Sequence, residues 1–303
     1  MDRFQAMRVF VSVVDANSFT KAADHLGFPR ATVTTIIQNL EALLQVRLLN
    51  RTTRRISLTP DGASYYEHCI RILGEVEETE AAFRDVTRGP KGRLRIDMPS
   101  PIGRMIVIPR LNEFHDRYPE IEVVIGMSDR QVDLVREAVD CVVRIGKLQD
   151  SMLVARRIAS FKLVTCAAPT YLQRYGIPAD IDDLQQHLAV NYFSGQTGRT
   201  IDCEFVLDGQ SRSVKMHSIV SINDIESYVA CGQQGLGLIQ PARFMVNAEL
   251  ESGELIEILP ELESPVFPIY IAYMQNRHLS PKVRVFVDWV TELFSTSPLL
   301  DPA

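Results

Sequence analysis

Apolar residues recur at helical spacing almost from the first residue. Phe4, Met7, Val11 and Val14 mark one face of a helix over residues 2–16. Asn17-Ser18 interrupts that pattern, and Ser18 is a good N-cap for a short second helix over 19–26, ended by Gly27. A third helix is predicted over 29–44, with Val33, Ile36, Ile37, Leu40 and Leu43 turned toward the first two. Two helices joined by a tight glycine turn, behind a supporting helix, describe a helix-turn-helix. Residues 47–50 and 55–58 then read as the strands of a β-wing around Arg51-Thr52-Thr53-Arg54.

Thr59-Pro60, a threonine cap before a proline at the first helical position, opens a long helix to about residue 88. On it Tyr66, Cys69, Leu73, Val76 and Phe83, with Glu80 filling one gap, follow a heptad seam. A single helix cannot bury such a stripe alone. Its partner is either the chain's own C-terminal domain or a two-fold copy, and the copy is expected because helix-turn-helix readers generally act as dimers. Gly89-Pro90-Lys91-Gly92 breaks the helix.

From residue 93 strands alternate with helices. Strands at 94–98, 121–127 and 141–145, with helices from Ser100-Pro101 and over 130–139, predict a mainly parallel α/β sheet. Further strands near 163–167, 204–207, 236–239 and 269–273 indicate a second, smaller lobe. A final helix from Ser280-Pro281 to residue 294 returns to the first. The expected domains are residues 1–59, 60–88 and 89–303, with a ligand cleft between the two lobes of the last.

Charge sharpens this division. Residues 1–59 hold eight basic and four acidic side chains, a balance of +4, so the remainder carries −10 of the chain's net −6. A basic head on an acidic body suits a DNA reader with a separate sensing domain. Arg51, Arg54 and Arg55 are too close together to be buried unpaired, so they are either a solvated hairpin tip or, as expected here, contacts to phosphates and the minor groove. The start of the third helix presents Pro29, Arg30, Thr32, Thr34 and Thr35 for the major groove.

Other chemistries find little support. The six histidines form no HExxH pair, and no GxSxG or Walker-type GK[ST] occurs, so no enzyme, cofactor or metal is expected. Gly232 to Gly237 follows a helix and precedes a strand, the reverse of a phosphate loop, so helix termination and close packing explain it. The five cysteines include no CxxC pair and read as free thiols. No apolar run approaches the roughly 18 to 20 residues of a membrane span, and residues 1–5 do not open a secretion signal, so a cytoplasmic protein is expected.

Within the cleft, Ser100 and the backbone N–H groups of Ile102 and Gly103 form an expected anion site. Ser128 and Asp129 follow the second strand at the same edge, and Asn223 is expected to cap the helix over 224–233 opposite Ser100. Each of these also reads as a plain helix-end or turn residue without a ligand. Arg144 is either the counter-charge for an acidic effector or the partner of an acid in the body.

Ser18-Phe19-Thr20-x-Ala22-Ala23, Leu40-Glu41, Val46-Arg47-Leu48-Leu49-Asn50-Arg51-Thr52-Thr53-Arg54 and Leu58-Thr59-x-x-Gly62 resemble the LysR-type transcriptional regulators over about sixty ungapped residues. Phe114-x-x-x-Tyr118-Pro119, residues 140–146 before Leu153-Val154-Ala155-Arg156, and Gly235-Leu236-Gly237-Leu238-Ile239 extend the resemblance more loosely. It implies an N-terminal winged helix-turn-helix, a long dimerisation helix, and a two-lobed α/β effector-binding domain similar to periplasmic binding proteins. It also implies homodimers that often pair into tetramers. The candidate DNA-contacting set is Ser18, Thr20, Pro29, Arg30, Thr32, Val33, Thr34, Thr35, Arg51, Thr52, Thr53, Arg54 and Arg55. At Thr34-Thr35 the chain departs from that family, which most often carries a basic residue after the recognition-helix serine, so its operator does not follow from relatives.

Overall fold

The computed structural model describes residues 2–51, 56–84, 89–128, 134, 137–146, 153–195, 197–275 and 279–302. The chain forms two compact units, Met1–Arg93 and Leu94–Ala303.

In the first unit Asp2 caps α1 (Arg3–Asp15) by accepting the Phe4 N–H at 2.9 Å. The face α1 buries is Ala6, Val9, Phe10 and Val13, while Met7, Val11 and Val14 flank it and Phe4 is 49% exposed. This corrects the expected stripe. The helix is apolar around most of its circumference, so periodicity alone does not choose the buried side. Ser18 caps α2 (Phe19–Leu26), and Gly27 ends it in the left-handed conformation at φ 69°. The turn leads into α3 (Arg30–Leu44), which buries Val33, Ile37 and Leu40. Leu43, expected on that face, is exposed.

β1 (Leu49–Arg51) and β2 (Ile56–Leu58) pair antiparallel, Leu49 opposite Leu58 and Arg51 opposite Ile56. Glu41 of α3 ties this wing to the helix, its Oε1 accepting the N–H groups of Leu48 and Leu49 at 2.9 and 3.1 Å. α4 (Pro60–Arg84) starts at Thr59, whose Oγ1 accepts the Gly62 N–H at 2.9 Å. Residues 85–88, where α4 was expected to continue, lie outside the described residues.

The second unit opens with β3 (Gly92–Met98) and a continuous helical run. That run is α5 (Ser100–Ile102), a π turn (Gly103–Val107), a 3-10 turn (Ile108–Arg110) and α6 (Leu111–Arg117). Strands β4 (Ile121–Met127), β5 (Cys141–Ile145) and β6 (Leu153–Lys162) follow. Most of the helix expected over 130–139 falls outside the described residues. The chain then builds the smaller lobe from β7 (Cys166–Ala167), α7 (Pro169–Tyr175), β8 (Leu188–Phe193), β9 (Thr200–Ile201), β10 (Cys203–Leu207), β11 (Gln210–Val214), β12 (His217–Ile222), α8 (Ile225–Gln233), α9 (Asn247–Ser252) and β13 (Ile256–Glu257). It returns through β14 (Val266–Met274), α10 (Pro281–Ser295) and β15 (Asp301–Pro302).

The main sheet has the order β15-β6-β14-β5-β3-β4. β3 and β5 are parallel, but β14 runs antiparallel to both β5 and β6, so the sheet is mixed rather than mainly parallel. The cause is the return path: β14 re-enters from the far lobe and runs opposite to the strands that leave. Phe114, Phe286 and Trp289 pack edge-to-face and tilted beneath this sheet, with Leu94, Ile96, Ile269 and Ile271 in the same core. The smaller lobe pairs β8 and β12 in parallel and has its own apolar clusters, one around Tyr171, Leu184 and Phe205 and one around Tyr228 and Ile239.

Gly235 turns at φ 72° at the end of α8, and a Cβ on Gly237 would sit 2.7–2.9 Å from the backbone of residues 188–190. That stretch is packing, and it holds no phosphate loop.

Candidate nucleic-acid interface and ligand cleft

Pro29, Arg30, Thr32 and Thr35 are exposed at the start of α3, and Thr34 is half-buried. Thr34 and Thr35 donate their hydroxyl hydrogens backward, each at 3.0 Å, to the carbonyls of Arg30 and Ala31. Their outward faces therefore offer oxygen lone pairs and methyl groups, which suit a base N–H donor or a thymine methyl. Val33 is fully buried against α1 and α2, so it is a core residue and must be removed from the DNA-facing set. Ser18 accepts the Lys21 N–H at 3.3 Å as the α2 cap, and Thr20 is exposed. Arg51 lies on β1, with its side chain outside what is described. Thr52, Thr53, Arg54 and Arg55 also lie outside the described residues.

The heptad seam divides in two. Cys69 is buried in the core of the first unit, and Tyr65 and Tyr66 pack on Phe10 of α1 at ring separations of 5.5 and 6.5 Å. Tyr66 also donates its hydroxyl to Asp15. Burial pushes the Tyr66 phenol up to about 12 and the Cys69 thiol up to about 11. Cys69 is thus corrected from a dimer contact to an internal one, and Tyr66 is engaged with α1. Leu73 and Val76 remain half-buried, and the side chain of Phe83 lies outside what is described.

In the second unit the parallel strands β3 and β5 end at one edge, where the chain passes into the helical run at Ser100. Arg144 of β5 places Nη2 2.6 Å from Asp97 Oδ1 on β3, and its Nη1 donates to the Val143 carbonyl at 2.9 Å. Ser128, just past β4, donates to Asp97 Oδ1 at 3.3 Å. Both members of the ion pair are almost fully buried, and Asp97 fills the space a side chain on Gly126 would need. Arg144 is therefore the partner of an acid in the body, and the expectation of a free counter-charge is corrected.

The expected anion site at Ser100 also changes. The Gly103 N–H is taken by the Pro99 carbonyl at 3.0 Å, and Ile102 and Gly103 are buried. Gly103 packs against two methionine ends: a Cβ there would lie 2.8 Å from Met127 Cε and 3.3 Å from Met98 Sδ, both flexible side-chain atoms that can shift. Ser100 is half-buried as the first helical residue, and Asp129 lies outside the described residues.

The facing edge of the smaller lobe is formed where β8 and β12 end. Asp224, not Asn223, caps α8, accepting the Ser227 N–H at 2.8 Å, and hydrogen bonds from Ser227 hold its carboxyl below the ordinary range. Asn223 is exposed beside Gly195, and its carbonyl accepts the Tyr192 hydroxyl at 3.3 Å. One contact absent from the sequence-based expectations joins the lobes: Arg104 Nε of the π turn lies 2.7 Å from Glu226 Oε1 in the first turn of α8. Among the described residues no cluster of three or more His, Cys, Asp or Glu side chains is placed to hold a metal ion.

Two family models match the chain. One, described as a bacterial regulatory helix-turn-helix protein of the lysR family, matches residues 4–63. The other, described as the LysR substrate binding domain, matches residues 87–295. The chain is 38% identical over 298 residues to an HTH-type transcriptional repressor of Pseudomonas aeruginosa, covering 98% of this chain and 94% of that one. The structure of CrgA, a LysR-type transcriptional regulator from Neisseria meningitidis, is similar with a TM-score of 0.62 and 31% identity, covering 96% of this chain and 99% of that one. The full-length structure of the Vibrio cholerae virulence activator AphB is similar with a TM-score of 0.60 and 28% identity, covering 95% and 98%.

Proposed function

The chain belongs to the LysR family of DNA-binding transcriptional regulators, and from that premise we propose how its residues divide the work. The exposed start of α3 selects the operator sequence through Arg30, Thr32, Thr34 and Thr35. The hairpin arginines Arg51, Arg54 and Arg55 hold phosphates and supply affinity. The Leu73–Val76 stretch of α4 meets a second copy of the chain. A small-molecule effector sits between the lobes of the second unit, near Ser100, Ser128 and Asn223, and shifts the arrangement of subunits on DNA. We infer that it works in the cytoplasm, since a protein that reads operators works where the DNA is.

The observation that carries this reading is the exposure of short hydrogen-bonding side chains at the start of α3 above a fully buried Val33, Ile37 and Leu40. Sequencing the genomic DNA that co-purifies with the protein gives the operator and its neighbouring genes. With that operator in hand, Thr35→Val is expected to change the preferred base at one or two positions, by about 1–3 kcal/mol each. Arg51→Ala is expected to weaken all sequences alike and to reduce the salt slope by about 1. An unchanged motif for Thr35→Val, or an unchanged salt slope for Arg51→Ala, would contradict the respective assignment.

A further inference from the structure

Resting on the interlobe site above, we propose that Arg104 recognises the effector and that Glu226 is a resident stand-in for it. The effector class that follows is a small carboxylate. Of the two arginines described at the edge of the larger lobe, Arg144 is held by Asp97 at 2.6 Å and by two backbone carbonyls, with its side chain 13% exposed. Taking it away would strand Asp97 as a buried, unpaired charge. Arg104 differs: its side chain is 57% exposed and meets Glu226 through Nε. Contact through Nε engages one edge of the planar guanidinium, so its other edge, the end formed by the two Nη groups, can meet a second carboxylate before Glu226 leaves.

Release of Glu226 is cheap. Its side chain is 43% exposed, and it sits in the first turn of α8, where the helix dipole favours a negative charge with or without an arginine. The exchange trades one carboxylate for another on the same guanidinium, so no charge is left buried. It also has a mechanical result. The Arg104–Glu226 bond joins the π turn of the larger lobe to α8 of the smaller, and an incoming carboxylate breaks it. Met127, 37% exposed and lying against Gly103, gives an apolar wall for the body of the ligand.

The test uses the full-length protein and straight-chain monocarboxylates of two to eight carbons, each beside its uncharged amide, with binding read by calorimetry. Acids are expected to bind and amides not. Glu226→Gln, lacking the competitor, is expected to bind the acids up to about fivefold tighter, the range an exposed ion pair supports. Arg104→Gln is expected to bind none. Hydrogen exchange gives a readout that needs no ligand: Glu226→Gln is expected to speed amide exchange at residues 103–107 and at the start of α8.

Acids and amides binding alike, or Arg104→Gln binding acids as the parent does, overturns the role of Arg104 while leaving an interlobe site in place. Exchange at both elements unchanged in Glu226→Gln overturns the bridge as a lobe contact, whatever binds. Glu226→Gln weakening the acids instead would make Glu226 a ligand contact and overturn its role as a competitor.

Discussion

Gly62→Ala is expected to destabilise the DNA-binding unit strongly while leaving the second unit intact. A Cβ at residue 62 would fall on the Leu48 carbonyl oxygen, with the carbonyl carbon at 2.9 Å and the Leu48 Cα at 3.2 Å. All three are backbone atoms, and they cannot retreat. The Leu48 N–H is held by Glu41, its carbonyl accepts the Thr59 N–H at 3.0 Å, and its side chain is fully buried. Overpacking of side chains costs typically 1–3 kcal/mol, and a clash with a pinned backbone should exceed that, at about 4 kcal/mol. For a unit of this size each kcal/mol lowers Tm by about 4–8 °C. Calorimetry should therefore show one of two transitions lowered by about 15 °C or more, with specific DNA binding lost in parallel. A transition displaced by only a degree or two would mean that α4 does not start against Leu48.

The second large effect is expected inside the regulatory unit. Arg144→Met leaves Asp97 almost fully buried with, among the described residues, the Ser128 hydroxyl donating to it, and removing one partner of a buried ion pair costs about 3–5 kcal/mol. Asp97→Asn, which strands the arginine instead, should cost a similar amount. The double variant carries no buried charge at this point and should recover most of the loss, because replacing a whole buried pair is often close to neutral. Urea unfolding of the four proteins gives the coupling directly. Additive losses would show that the two side chains do not depend on each other.

Both effects arise at places that the sequence reveals unevenly. Caps and breakers made the helix-turn-helix legible: Ser18, Gly27 and Thr59 act as local chemistry predicts, because a cap depends on residues three or four positions away. Burial of Val33 was also legible, since it shares its spacing with Ile37 and Leu40. Assigning it to the DNA as well contradicted that spacing. The face of α1 was not legible, because packing against α2, α3 and α4 decides it, with Phe10 meeting Tyr65 and Tyr66. The heptad pattern on α4 counted Tyr66 and Cys69 correctly as apolar but could not say which partner buries them.

At the cleft the limit is longer range still. Asp97 and Arg144 meet only because β3 and β5 are neighbours, and Arg104 and Glu226 because two lobes close on each other. Neither pair has a local signature. The reversed direction of β14 is hidden for the same reason, as strand polarity follows from the path of the whole chain.

The grip of α1 on the start of α4 has a consequence for the DNA itself. Tyr65, Tyr66 and Cys69 lock the reading head to the first turns of a helix of 25 residues, so the head and its shaft turn as one piece. If two such pieces join along their shafts, as proposed above, they form a caliper with fixed jaws. B-DNA repeats every 10–10.5 base pairs, so about five extra pairs between half-sites would carry one of them to the far side of the duplex. Jaws without a swivel cannot follow it there. On that proposal the length between half-sites is expected to be part of the address, read by geometry where no side chain touches a base.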